Sequence, residues 1–444
     1  MRFPHALIAG AALAMLAGTA SAAEPADKPY ALFDGLEQTA GFKAYGFLQV
    51  GISGNDASTH QAANEGHSTG PMVGPADEGL QLNALQFILE REVKSNIIPR
   101  ATPLPGPMPQ QFSWGFRFEG VYGRNGLAAM AQGLETTWGI NETTEGVTAG
   151  DNRQNYLAFP QVYAQLYAPV GNGVVFTVGR FGAGIGYEIP ASYQKGPNFF
   201  YSRTYGFVAQ PDQVVGALAS ANLMNGPYGL LAAEFGVVNG RKNWQDNNDD
   251  KSLIGALRWR SSDMKLWVDY SFMRGNEQND PGETVQAPVS RVISPRDQLR
   301  QHHGLGVSWR PDSTWDLHAE IMHGSQDGDG KAGTIDILDG NFYKGGSYTG
   351  LNAQLLYRSS ARLQWGLRAE TFDDPHGVAL FPVTAAKGRF NAITAGLRYE
   401  LTPNVVVRPE LRHDWQDDRG ALKAYGDGTK TKQTTVSADV LFYF

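Results

Sequence analysis

The chain has 444 residues, no cysteine, 53 glycines and only 18% charged residues, whereas typical soluble domains carry roughly 25% charge and about 7% glycine. Zero cysteine excludes a disulfide scaffold, thiolate metal ligation and a cysteine nucleophile, and 42% hydrophobic with 11% aromatic residues is too apolar for a disordered chain. A formal net charge of -7 argues against a nucleic-acid partner.

At the start, Met1-Arg2 precede an apolar run over residues 6–18 and the small-residue site Ala20-Ser21-Ala22. This pattern predicts a secretory signal peptide over 1–22, cleaved after Ala22. A periplasmic N-terminal segment is expected over 23–40. Two later uncharged stretches, 154–179 and 213–233, mimic membrane helices by length, but Pro169-Val170-Gly171-Asn172-Gly173 and Asn225-Gly226-Pro227 cut them. Residues alternate on each side of those cuts, so each stretch reads as two strands joined by a turn.

Alternation continues along the chain and predicts sixteen strands, at 41–52, 80–92, 113–123, 156–168, 174–181, 213–223, 228–239, 251–261, 264–274, 300–311, 314–324, 346–358, 362–373, 389–401, 404–415 and 433–444. Most suit an apolar band about 25 Å tall at the usual strand tilt. From the fourth strand onward, every second connection is a tight turn and the others are long, polar and rich in Gly, Asp and Asn. Short turns alternating with long loops predict an all-β fold, a transmembrane antiparallel β-barrel over 41–444 with periplasmic turns and extracellular loops. One periplasmic connection, 93–112, breaks the rule; Pro99, Pro103, Pro105, Pro107 and Pro109 predict a stiff, extended excursion with no assigned role.

Period-two charges then distinguish lumen from lipid. Arg117 and Glu119, Arg368 and Glu370, Arg398 and Glu400, and the series Arg408, Glu410, Arg412, Asp414 each fall on one strand face. A lipid-facing arginine at the membrane midplane costs about 2 to 4 kcal/mol, so these residues are predicted to line the pore. Sixteen strands enclose a channel, whereas about eight enclose only side chains. A slight excess of inward basic residues over acidic ones predicts weak anion preference. In the last strand Val436, Ala438, Val440, Phe442 and Phe444 share a face, and Phe442 with Phe444 is the expected signal for the outer-membrane assembly machinery.

The connection 182–212 is the third extracellular loop and carries seven aromatics, too apolar for a loop free in water. It is predicted to fold inward as a constriction loop, with Arg180, Tyr187, Glu188, Lys195, Tyr201 and Arg203 as its site residues; a cap over the mouth is the alternative. The runs Val178-Gly179-Arg180-Phe181, Gly186-Tyr187-Glu188, Phe200-Tyr201-Ser202-Arg203 and Gly236-Val237-Val238-Asn239-Gly240 followed by Asp246-Asn247-Asn248 resemble the OmpL-like β-barrel porin family, from Tyr45 to Phe444. Phosphate-selective porins share a looser version. The resemblance implies an outer-membrane location and passive transport.

Other motifs carry little. Asp327-Gly328-Asp329-Gly330-Lys331-Ala332 opens like a calcium loop but lacks its later ligand and glycine. Asp246-Asn247-Asn248-Asp249-Asp250 reads as a hydrophilic loop. His302 and His303 are adjacent in a strand and face opposite sides, and His318 sits between Asp316 and Glu320 in an inward ladder. No nucleophile elbow, zinc-protease helix or phosphate loop occurs. No enzyme activity, metal or cofactor is predicted. The expected partners are outer-membrane lipid and lipopolysaccharide, the assembly machinery and small hydrophilic solutes, with a homotrimer compatible with the pattern. The expected function is a diffusion channel; the alternatives are an occluded structural or adhesive barrel and an outer-membrane enzyme.

Overall fold

The structure, a computed structural model, describes residues 32–33, 35–57, 75, 79–98, 101–131, 133–138, 155–189, 198–246, 249–277, 299–327, 345–380, 386–418, 423–426 and 428–444. The signal peptide 1–22, Lys195, Asn247-Asn248 and the run from Gly328 to Ala332 lie outside them.

Up-and-down strands close into one antiparallel barrel. Its first members are β1 (Lys43–Asn55) and β2 (Gly79–Arg91), followed by a separate two-residue pair, β3 (Ile97–Ile98) and β4 (Thr102–Pro103). The wall resumes with β5 (Ser113–Gly123), β6 (Tyr156–Ala168), β7 (Val174–Gly182), β8 (Gln213–Gly226), β9 (Gly229–Arg241) and β10 (Ser252–Arg260). It continues through β11 (Leu266–Asn276), β12 (Leu299–Trp309), β13 (Trp315–Asp327) and β14 (Gly345–Arg358). The last members are β15 (Leu363–Asp374), β16 (Gly388–Thr402), β17 (Val405–Asp418) and β18 (Lys432–Tyr443). β18 pairs back onto β1 with Val50 opposite Val440, so the wall has no free edge. The sixteen wall strands match the sixteen read from alternation, with ends displaced by a few residues.

Why these residues form a wall is visible in β7, where Val178 is 60% exposed on the outer surface and Thr177 is 5% exposed on the inner one. The outer face of the barrel carries apolar side chains such as Trp114, Phe176, Leu355, Leu367, Ile393 and Leu411, which suit hydrocarbon. Tight turns such as Ser261 to Lys265 define the periplasmic end, and the long connections define the extracellular end. No helix among the described residues is long and apolar enough to cross a membrane; the crossing is made by strands.

The proline-rich connection differs from its expectation. It is not extended throughout: β3 and β4 form a minimal hairpin, with Ile97 opposite Pro103.

Candidate functional site: the loop bound to the inner wall

The predicted charge ladder is where the third loop attaches. Residues 198–205 run beside β17, rising in step with it. Arg408 Nη1 donates to the carbonyl oxygens of Asn198 at 2.9 Å and Phe200 at 3.2 Å. Two residues on, Glu410 accepts from the N–H groups of Tyr201 at 2.8 Å and Ser202 at 3.1 Å. Arg412 Nη1 then donates to Arg203 O at 2.8 Å, and Asp414 accepts the Tyr205 hydroxyl at 2.6 Å. The alternating signs of Arg408, Glu410 and Arg412 thus match alternating carbonyl and N–H groups of the loop backbone, which has no sheet partner of its own there, and Asp414 takes a side-chain hydroxyl.

β15 holds the same segment from the side. Arg368 donates to Ser202 O at 3.0 Å and to Glu188 Oε1 at 3.0 Å, and Glu370 accepts Tyr205 N–H at 2.7 Å. Glu188 also accepts from Thr204 N–H at 2.7 Å, tying the two halves of the loop together. Cationic faces cover the aromatics: Arg368 lies 4.6 Å from the Phe200 ring centre and Arg412 5.0 Å from that of Tyr205.

The loop also fits the wall sterically. A side chain at Gly51 would meet the Tyr201 ring, and one at Gly366 would meet Phe199. Inward glycines therefore leave the recesses that the aromatics occupy. Tyr201 closes its recess by donating to Asn83 Oδ1 at 2.8 Å. At the extracellular end the short helix Tyr205–Ala209 starts with Thr204 Oγ1 accepting from Phe207 N–H. It packs with Met322, Tyr348, Phe372 and Phe390 of the inner wall. Tyr187 stacks on His318 with ring centres 3.6 Å apart, and its N–H donates to Glu320 at 3.1 Å.

Burial sets the protonation of these loop groups. Removal from water raises the Tyr205 phenol well above its usual value, and Asp414 adds to this, so the hydroxyl stays a donor. Burial likewise presses the Arg203 guanidinium down to about 10, still charged at neutral pH.

Several predicted residues sit elsewhere. Arg180 belongs to β7 and is ion-paired with Glu135, a residue of the second extracellular connection that is fully buried. Arg117 bridges Glu90 at 2.7 Å and Glu119 at 2.9 Å, so this ladder holds wall to wall and not loop to wall. Arg398 and Glu400 lie near the periplasmic end of β16, where neither forms an ion pair with a described residue. Phe442 lies on the outer face, and Phe444 N–H donates to Gly46 O at 3.1 Å, joining the last residue to β1. His302 and His303 do point oppositely, His302 to the Tyr348 hydroxyl within and His303 to that of Tyr270 outside.

Sequence reasoning missed Glu135. Asp439 was legible as the inward acidic residue of β18; it pairs with Arg408 across the β17–β18 register. Glu135 lies in an irregular connection, with no period to mark it.

A family model described as "Putative beta-barrel porin-2, OmpL-like" matches residues 41–444. The barrel is similar to the outer membrane channel DcaP of Acinetobacter baumannii, at 10% identity and TM-score 0.52, covering 91% of this chain and 97% of that one. It is similar also to an anion-selective porin from Comamonas acidovorans, at 12% identity and TM-score 0.51, with 91% and 99% covered. OmpF of Salmonella typhi, in complex with daunomycin, is similar at 11% identity and TM-score 0.52, with 91% and 97% covered. Identities this low speak for the fold alone. No curated relative matches the sequence. With the family model covering the whole wall from β1 to β18, the chain belongs to the OmpL-like β-barrel porin-2 family and is an outer-membrane protein.

Proposed function

We propose that the chain is a passive diffusion channel for small hydrophilic solutes, narrowed by the loop 182–212 and weakly anion-preferring. The carrying observation is the attachment of residues 198–205 to the charged faces of β15 and β17, inside a wall of sixteen strands. A wall this wide is not filled by its own side chains. A segment pinned along one side reduces the cross-section and sets a size limit.

The anion preference rests on charges the loop does not engage. Arg408 and Arg412 are committed to Asp439, Asp414 and the loop backbone. By contrast Arg358 and Arg398 share the inward parity of β14 and β16 near the periplasmic end, Arg362 directly precedes β15, and none of the three forms an ion pair with a described residue. Glu400 offsets one of these three, and the remaining excess of cations at the mouth raises local anion concentration.

Vesicle swelling tests the reading. Vesicles carrying the protein are expected to swell in isotonic neutral monosaccharide and more slowly in larger sugars. Vesicles that swell no faster than protein-free ones would favour an occluded barrel.

A further inference from the structure

Between β2 and β5 the chain makes a detour that no other periplasmic turn makes. Arg91 pairs with Phe116, and Lys94 N–H donates to Ser113 Oγ at 2.8 Å, so the strand ends already meet and a tight turn would join them. The described intervening residues fold against the inner wall. Ile97 and Ala101 are buried against Tyr167, Val175 and Ala232, inward residues of β6, β7 and β9.

Three ties hold the detour in place. Asn96 Nδ2 donates to Asn172 O at 2.7 Å, Asn225 Nδ2 donates to Gly106 O at 3.1 Å, and the Tyr167 hydroxyl donates to Pro109 O at 2.8 Å. Two of these partners, Asn172 and Asn225, lie in or beside the turns β6–β7 and β8–β9, so the segment is fastened across the periplasmic end. Pro103, Pro105, Pro107 and Pro109 fix φ and make it stiff. Ile98, by contrast, is 45% exposed. It borders the cavity of about 50 Å³ whose other lining includes Gly184, Ile185, Glu188 and Ile189 of the third loop.

We propose that the segment 93–112 is a second constriction, built at the periplasmic end and acting in series with the extracellular loop, with Ile98 as a size-determining residue. This rests on the channel reading above. Ile98 and the third loop line one cavity, so on the β6–β9 side the lumen is narrowed from both ends.

Single-channel recording of the full chain in planar bilayers tests this. Replacing residues 95–112 by a short Asn-Gly turn is expected to raise conductance about twofold, because two comparable constrictions in series share the resistance. Ile98→Trp, at a side chain outside the packed cluster, is expected to lower it. Heat-modifiable electrophoretic mobility checks that each variant forms a closed barrel. Combining the turn replacement with a shortened 182–212 loop is expected to raise conductance by more than the two separate gains summed. A merely additive gain means parallel routes and overturns the series arrangement. Unchanged conductance in either the turn variant or Ile98→Trp overturns the proposal and leaves the channel reading standing. A wild-type protein that never conducts overturns both.

Discussion

Arg408, Glu410, Arg412 and Asp414 stand at alternate positions of β17; the first three meet different groups of the loop backbone and Asp414 meets the Tyr205 hydroxyl. Hydrogen bonds to charged groups are worth about 1.5 to 3 kcal/mol each when buried groups would otherwise lose water, so the ladder is strong enough to order a loop. The same arithmetic applies where no loop backbone is involved. Arg180 and Glu135 are both nearly inaccessible to water and paired with one another. Removing one partner of such a pair leaves a buried charge uncompensated, at a cost of about 3 to 5 kcal/mol. Arg180→Ala is therefore expected to lower stability by that amount, measured by denaturant unfolding of the folded barrel in detergent. A loss below about 1 kcal/mol, the size for exposed pairs, would mean that water reaches Glu135. The sequence showed the inward direction of Arg368, Arg408 and Arg412, because period two and membrane cost fix it. It did not show their partners, because hydrogen bonds to backbone carbonyls leave no trace in residue identity.

At the scale of elements, strands and turns were legible and irregular connections were not. In the turn before β13, Asp312 accepts from the N–H groups of Thr314 at 2.7 Å and Trp315 at 3.0 Å. The Thr314 bond first, then the Trp315 bond, holds its carboxyl below the ordinary 3.8. A depressed folded value stabilises the barrel above pH 3.8, and the contribution is lost as pH falls through the depressed value. Asp312→Asn keeps an acceptor without titrating, so its unfolding midpoint should depend less steeply on pH in that acidic window. Identical pH slopes for variant and wild type would refute the assignment. Such turns are written in Asp, Ser and Pro, and their sequences reveal them. The connection 93–112 was read as stiff from its prolines, yet its inward fold depends on Ile97, Asn96 and the residues of β6, β7 and β9 that receive them. Local composition has no access to contacts so distant in sequence. Aromatics in 182–212 did signal a packed loop, and the recesses at Gly51 and Gly366 explain where they go.

On the scale of the whole molecule, a closed wall of sixteen strands carries lipid-compatible side chains outside and paired charges inside. From the extracellular end the third loop is fastened along β15 and β17; from the periplasmic end a proline-rich segment is fastened across β6, β7 and β9. The low overall charge and high glycine content follow from this design, since one strand face meets lipid and turns and recesses require small residues. The central claim is that the charged inner faces hold the third loop within a conducting lumen. Its most direct test is the single-channel conductance of the wild-type protein beside that of a variant with 182–212 shortened to a tight turn. Stepwise conductance in both, clearly larger in the shortened variant, is the predicted result; equal conductance in the two, or none in either, would contradict it.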